Sequence, residues 1–281
     1  SHSALNASQK SPRSSGWLSR FNTETPSIDA PMLFGFKAPP AIFDLWVSIG
    51  DFARQLVCGS RYLSTANGIA MRRSERIQVL LRELPKLYPN ARCLLKYWGK
   101  PERLLIATIL SAQTTDAAVN SVTPELWRRW PDLDSLAAAD RGDVEEVVHS
   151  LGFFRNKARS VQKAAEAVLE CCHGKIPESM DELVKLPGVG RKTANVVLGE
   201  VFGTPSIIVD THVKRLSGRL DLTRHRKPER IEADLRKLLP SSRQTDFSHQ
   251  LGFHGREVCT ARSPGCDSCA FGEMCPRRGL S

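Results

Sequence analysis

LPGVGRKTANVV, residues 186–197, is the stretch from which the fold is read. Gly188 and Gly190 stand two apart, so they admit backbone conformations closed to other residues and leave nothing between the amide N–H groups and an approaching ligand. Beyond them the apolar residues fall at helical spacing, and a helix is expected to begin near Arg191. Its first N–H groups and its dipole favour an anion there. A phosphate of a nucleic-acid backbone fits such a turn. A glycine pair between helices also serves as a plain αα-corner; the Leu-Pro before it and the cations Arg191 and Lys192 after it favour the phosphate reading.

Outward from this turn the pattern is helical almost everywhere. SERIQVLLRELPKLYP (74–89), PERLLIATILSAQ (101–113), AVNSVTPELWRRWP (118–131), LDSLAAADRGDVEEVVHSLG (133–152), NKARSVQKAAEAVLECCHG (156–174), SMDELVKLPG (179–188) and RKTANVVLGEVFG (191–203) each repeat apolar residues three or four apart. Ser179 followed by Glu182 matches a capping box, and Pro101 and Pro228 suit first-turn positions. The β-branched run of note is SIIVD at 206–210. The fold class expected is all-α.

Composition bounds the partner. With 281 residues, 41% hydrophobic and 25% charged, the chain sits in the ordinary globular range. Forty Lys and Arg against thirty Asp and Glu leave +10, which points to a polyanion such as nucleic acid or an anionic membrane surface. No run approaches the ~18 apolar residues of a membrane span; even the region 31–58 is broken by Lys37, Pro39, Pro40, Asp44, Asp51 and Arg54. A soluble protein is expected. Residues 1–70 read as a flexible extension, with one candidate amphipathic helix over 41–58. They carry +2, so +8 belongs to the remaining chain.

Eight cysteines are distributed unevenly. Cys58, Cys93, Cys171 and Cys172 are scattered, whereas Cys259, Cys266, Cys269 and Cys275 form a C-x6-C-x2-C-x5-C set. Four thiolates in one short loop, without His, hold either tetrahedral zinc or a four-iron cluster. A single close CxxC pair favours iron–sulfur over the two knuckles usual for zinc. Arg256, Arg262, Arg277 and Arg278 surround the set, and two of the four are expected to reach phosphates.

Lys192 falls in the first turn of its helix beside Arg191, where the positive dipole end and a like charge both favour a neutral, nucleophilic amine. Asp210, eighteen residues on, ends an apolar run; a poorly solvated carboxylate there accepts a proton or stabilises a developing cation. Each also has a plain reading. Lys192 alone serves as a phosphate contact, and Asp210 before THVKRL is a good helix N-cap.

LPGVGRKTANVVLGEVFG, followed by IIVDTHVKRLSGRL, resembles the helix-hairpin-helix and following segment of the endonuclease III family of DNA glycosylases. The similarity runs from about Ser74 to the C-terminus and does not cover 1–70. It implies a two-domain helix-hairpin-helix glycosylase fold, with a helical barrel at 95–203 and a second domain from 72–94 plus 204–281. It also implies a [4Fe-4S] cluster on Cys259, Cys266, Cys269 and Cys275. Lys192 and Asp210 match the family's nucleophilic lysine and catalytic aspartate, and a DNA groove is implied between the domains. The hairpin residues Pro187, Gly188, Gly190 and Arg191 are expected to bind DNA.

The implied activity is a bifunctional glycosylase and abasic-site lyase, acting as a monomer on oxidised pyrimidines in duplex DNA. A damaged base has to leave the stack, and something must fill the hole. Gln113 in SAQTTD (111–116) is long enough to face the orphaned partner, and Phe153 in LGFFRNKA (151–158) is an apolar wedge. The family often carries Leu-Tyr where this chain has Phe153-Phe154, and Phe154 also suits core packing. An adenine-mismatch glycosylase is disfavoured by Lys192 and by the lack of a further C-terminal domain. A non-catalytic DNA-binding module would use Lys192 and Asp210 only as phosphate contact and cap. The expected location is a bacterial cytoplasm or nucleoid, or a eukaryotic nucleus or mitochondrion.

Overall fold

The computed structural model describes residues 71–280, so the extension read over 1–70 and the helix read over 41–58 lie outside the described residues. Among the described residues no strand forms, and no helix is long and apolar enough to cross a membrane. In chain order the helices are α1 (Arg73–Leu87), α2 (Pro101–Leu110), α3 (Asp116–Arg129), α4 (Leu133–Ala137), α5 (Arg141–Val148) and α6 (Phe154–Cys172). They continue as α7 (Met180–Leu183), α8 (Arg191–Val201), α9 (Thr211–Arg219), α10 (Pro228–Leu238) and α11 (Gln244–Glu257).

Local chemistry sets most of the boundaries. Pro101 and Pro228 each open their helix at the first position, where a missing N–H costs nothing. Ser179 caps α7, accepting from the Glu182 N–H at 3.3 Å, but the Glu182 carboxylate takes the Ser179 hydroxyl at 2.6 Å and not the backbone N–H of a full capping box. The single helical run read over 133–152 divides. Asp140 accepts from the N–H groups of Gly142 and Asp143, which starts α5 afresh and ends α4 at Ala137. Pro85 lies inside α1 and cannot donate to the Leu81 carbonyl. Arg243 reaches that carbonyl instead, at 3.5 Å.

Two apolar clusters organise the chain. The first gathers α2 to α8 and includes Leu104, Leu105, Leu126, Leu136, Val161, Ala165 and Val197. Its centre is α2, whose residues Leu104 to Leu110 are all buried, as a helix apolar on every side must be. The second joins α1 to the C-terminal part through Ile77, Leu80, Leu84, Leu216, Leu235, Phe247 and Leu251. SIIVD links them. It is extended without pairing to another segment, and because successive side chains of an extended chain point opposite ways, Ile207 enters the second cluster and Ile208 the first. The sequence signal for a strand is thus met by an alternating staple, which delivers Asp210 to the start of α9.

At the far end of α9, Asp221 adopts a left-handed backbone, φ +51°, and gathers four guanidinium groups. Arg76, nearly buried, approaches its carboxylate at 3.1 Å and Arg278 at 3.0 Å, with Arg73 at 3.9 Å and Arg224 at 4.0 Å. Removing one partner of a buried pair leaves an uncompensated charge, at a cost of about 3 kcal/mol. Asn keeps the shape and tolerates the left-handed region, so Asp221→Asn isolates the charge. Its thermal midpoint is expected to fall by roughly 10 °C, read by calorimetry or circular dichroism.

Candidate functional site

The hairpin lies between α7 and α8 as expected, but its two glycines differ in purpose. Gly188 has φ +78°, and a Cβ there would sit 3.1 Å from the Cβ of Ser160, so both conformation and space demand glycine. Gly190 is the N-cap of α8 at φ −97°, ψ 174°, a conformation open to any residue, and nothing lies within 4 Å of where its Cβ would be. Its contribution is a bare face, not a turn. Pro187 is half-buried, while Gly188, Gly190, Arg191 and Lys192 are exposed.

Arg191 is not a free cation. Its guanidinium meets Glu232 of α10 at 2.8 and 3.1 Å, and that carboxylate, itself buried, also takes Arg236 at 3.3 Å. The like charge expected beside Lys192 is therefore balanced by Glu232, a residue 41 positions away that the sequence pattern did not mark. Lys192 itself makes no ion pair or hydrogen bond among the described residues.

Lys192 and Asp210 arrive from separate elements and line one pocket. Arg92, Cys93, Thr108, Ser111, Asp116, Ser248, His249 and Arg256 complete its polar wall. Asp210 does cap α9, accepting from the Val213 N–H through Oδ1 at 2.7 Å; its other oxygen has no hydrogen bond to protein among the described residues. The cap reading of Asp210 is thus met through one oxygen, which leaves the second open to the pocket's chemistry. Asp116 and Arg256 face each other across the pocket at 3.4 Å. The Cys93 thiol is pushed up to about 12 by burial. His249 is held by Glu200, Nε2 to Oε1 at 2.6 Å. Of these, Arg256 stands out in the sequence by its place beside the cysteine set; no motif marks Asp116, Cys93, His249 or Glu200.

Gln113 and Phe153 come together at a neighbouring hollow, lined also by Ala112, Asn156, Lys157, Ser160 and Gly188. Both side chains are exposed, Phe153 by 65%, and both backbones are left-handed, at φ +54° and +48°. Such strain in non-glycine residues persists only where surroundings enforce it, and it gathers at ligand-contacting positions. Lys157 is part of the enforcement: its ammonium is buried and donates to the Leu151 carbonyl at 2.9 Å, closing the turn beneath Phe153. Phe154 packs on the first cluster and against the His149 ring at 4.5 Å, so it is the core member of the pair.

Cys259, Cys266, Cys269 and Cys275 line a common pocket floored by Leu216, Leu220 and Phe271. Among the described residues no three His, Cys, Asp or Glu side chains converge as a single ion requires. An all-sulfur set standing around a space fits a polynuclear cluster, in which each thiolate binds its own metal. Donors to sulfur are already present: Arg219 reaches Cys259 Sγ at 3.2 Å and the Phe271 N–H reaches Cys269 Sγ at 3.4 Å. Of the arginines around the set, Arg256 and Arg278 have carboxylate partners, while Arg262 and Arg277 form no ion pair among the described residues.

Residues 106–241 match the model of the HhH-GPD superfamily base excision DNA repair proteins. Endonuclease III of Synechocystis is 51% identical over 205 residues, 73% of this chain and 93% of that protein. Endonuclease III of Escherichia coli is 38% identical over 208 residues, covering 73% and 96%. A trapped endonuclease III–DNA covalent intermediate superposes with a TM-score of 0.71 at 41% identity, over 74% of this chain and 97% of the other. Identity at this level across nearly the whole length of the relatives goes beyond a shared fold, and the hairpin, Lys192 and Asp210 all fall within the matched superfamily region: the chain belongs to the endonuclease III family.

Proposed function

We propose that this chain is a bifunctional DNA glycosylase and abasic-site lyase of base excision repair, which removes oxidised pyrimidines such as thymine glycol from duplex DNA. The observation that carries the reading is the meeting of Lys192 and Asp210 in one pocket beside the glycine hairpin. Lys192 Nζ attacks C1′ of the damaged nucleotide, the glycosidic bond breaks with its electron pair going to the base, and the opened sugar remains joined to the enzyme as a Schiff base. Asp210 accepts a proton from the attacking amine and stabilises positive charge at the sugar. β-Elimination then cuts the strand on the 3′ side of the sugar. A glycosylase that only removes adenine from mismatches would not need the amine.

The remaining residues serve binding. Pro187, Gly188, Gly190 and Arg191 present the α8 N-terminus to a backbone phosphate, while Gln113 fills the vacated stack and Phe153 wedges the duplex. The two apolar clusters are the cores of two domains, 95–203 and 72–94 plus 204–281, with the groove between them. The four clustered cysteines would hold a [4Fe-4S] cluster, whose contribution when bound is to order the loop that carries Arg262 and Arg277; base loss and elimination transfer no net electrons.

Borohydride reduction of a mixture of the protein with an abasic-site duplex tests the reading. A covalent protein–DNA adduct is expected, and its absence would sink the lyase assignment. The hairpin gives a second check. Gly188→Ala is expected to cost about 2 kcal/mol, from left-handed strain and the clash with Ser160. Gly190→Ala is expected to leave stability within about 0.5 kcal/mol yet weaken duplex binding several-fold, because a methyl group then covers the open face. Thermal unfolding and fluorescence anisotropy read the two effects separately.

A further inference from the structure

We propose that His249, held by Glu200, is the base that takes the C2′ proton in the strand-cleaving elimination. The proposal rests on the Schiff-base reading above and names the proton acceptor that reading leaves unassigned. The pocket that holds Lys192 and Asp210 has few candidates. Arg92 and Arg256 are guanidinium groups and hold no lone pair for the task. Asp116 is engaged by Arg256 at 3.4 Å. The Asp210 carboxylate holds the α9 cap through one oxygen and serves the amine with the other. Cys93 keeps its proton, because burial pushes its thiol up to about 12, and Lys192 is itself committed to the imine, so His249 is the remaining acceptor among the pocket's titratable side chains.

Its orientation is set by Glu200. A carboxylate only accepts hydrogen bonds, so the 2.6 Å contact between Glu200 Oε1 and His249 Nε2 makes Nε2 the protonated nitrogen. In the neutral ring Nδ1 then carries the lone pair, and it has no hydrogen bond among the described residues. Both side chains are largely buried, at 14% and 15% exposure, so the pair is fixed and the imidazolium formed on proton uptake is met by a carboxylate at once. This is the logic by which an acid residue orients a histidine base and supports its charged form. Glu200 stands on α8, two turns from Lys192, and His249 on α11, so the pair ties the nucleophile's helix to α11.

The step balances without a co-reactant. With C1′ held to Lys192 as a protonated imine, Nδ1 removes a proton from C2′, and the C–H electron pair forms the C1′–C2′ double bond of a neutral enamine. The nitrogen lone pair then restores the iminium, the C2′–C3′ double bond forms, and the C3′–O bond breaks with its electrons leaving on the 3′-phosphate. His249 ends protonated and Lys192 remains bound until water releases it.

Single-turnover kinetics on an abasic-site duplex and on a thymine-glycol duplex test the assignment. His249→Gln is expected to lower the ratio of strand cleavage to base excision at least tenfold, and borohydride is expected to capture more adduct late in the time course because the Schiff base accumulates. Glu200→Gln moves both readouts the same way by a smaller factor. Cleavage at the wild-type rate in His249→Gln, or parallel loss of cleavage, excision and adduct in both variants, would overturn the proposal. A wild-type protein that forms no adduct at all fails the Schiff-base reading itself, which is a separate outcome.

Discussion

Lys192→Ala is expected to abolish the borohydride-trapped adduct and to slow strand cleavage at an abasic site by about 10³-fold or more, while duplex affinity changes by less than about tenfold. The expectation follows from what else the pocket contains. Lys192 is the one amine among its lining residues. The two neighbouring cations are arginines, which do not deprotonate to give a nucleophile. The one sulfur nucleophile, Cys93, is half-buried and desolvation pushes its thiol up to about 12, so the thiol form dominates at neutral pH. No substitute therefore stands ready when the lysine is removed. The fold should not suffer, because Lys192 is exposed, makes no ion pair among the described residues, and alanine is the best helix former; a change within about 0.5 kcal/mol is expected. Persistence of the adduct in Lys192→Ala would move the nucleophile elsewhere.

What the sequence revealed was what neighbouring residues decide among themselves. Pro101, Pro228 and Ser179 start helices by local chemistry, and each start is where the pattern predicts it. The hairpin is legible for the same reason. The break between α4 and α5 was missed although Asp140 caps α5 through residues only two and three away, because an unbroken apolar rhythm outweighed one capping aspartate. Contacts between distant residues left no signal. Glu232 meets Arg191 from 41 residues away and Glu200 meets His249 from 49 away. No rhythm in one helix foretells a charged partner on another. The left-handed turns at Gln113 and Phe153 were equally hidden, since neither residue prefers that region and tertiary contacts such as the buried Lys157 hold it. Sequence thus named Lys192 and Asp210, the residues proposed to carry the glycosylase chemistry, and passed over His249 and the partners Glu232 and Glu200.

Asp210→Asn is expected to lower base excision by about 10²- to 10⁴-fold with almost no change in stability. Asp210 has a structural task and a proposed chemical one, and this substitution separates them. As an N-cap, asparagine is as good as aspartate, and its side-chain oxygen can accept from the Val213 N–H as Oδ1 now does at 2.7 Å. Lost is the negative charge, with its capacity to take a proton from Lys192 and to oppose positive charge at C1′. Asp210→Ala removes both and is expected to add a cost of about 1 kcal/mol in thermal unfolding. If the residue only capped α9, asparagine would leave excision within a few-fold of wild type and alanine would damage stability alone. Single-turnover excision of thymine glycol, measured beside the thermal midpoint of each variant, distinguishes the cases. Under the proposed chemistry the cap has a second use, because a carboxylate anchored through one oxygen to the first turn of α9 holds its other oxygen in a fixed direction. A residue doing both tasks would have its catalytic geometry set by the helix it starts, so the difference between asparagine and alanine in excision should be small beside the loss they share.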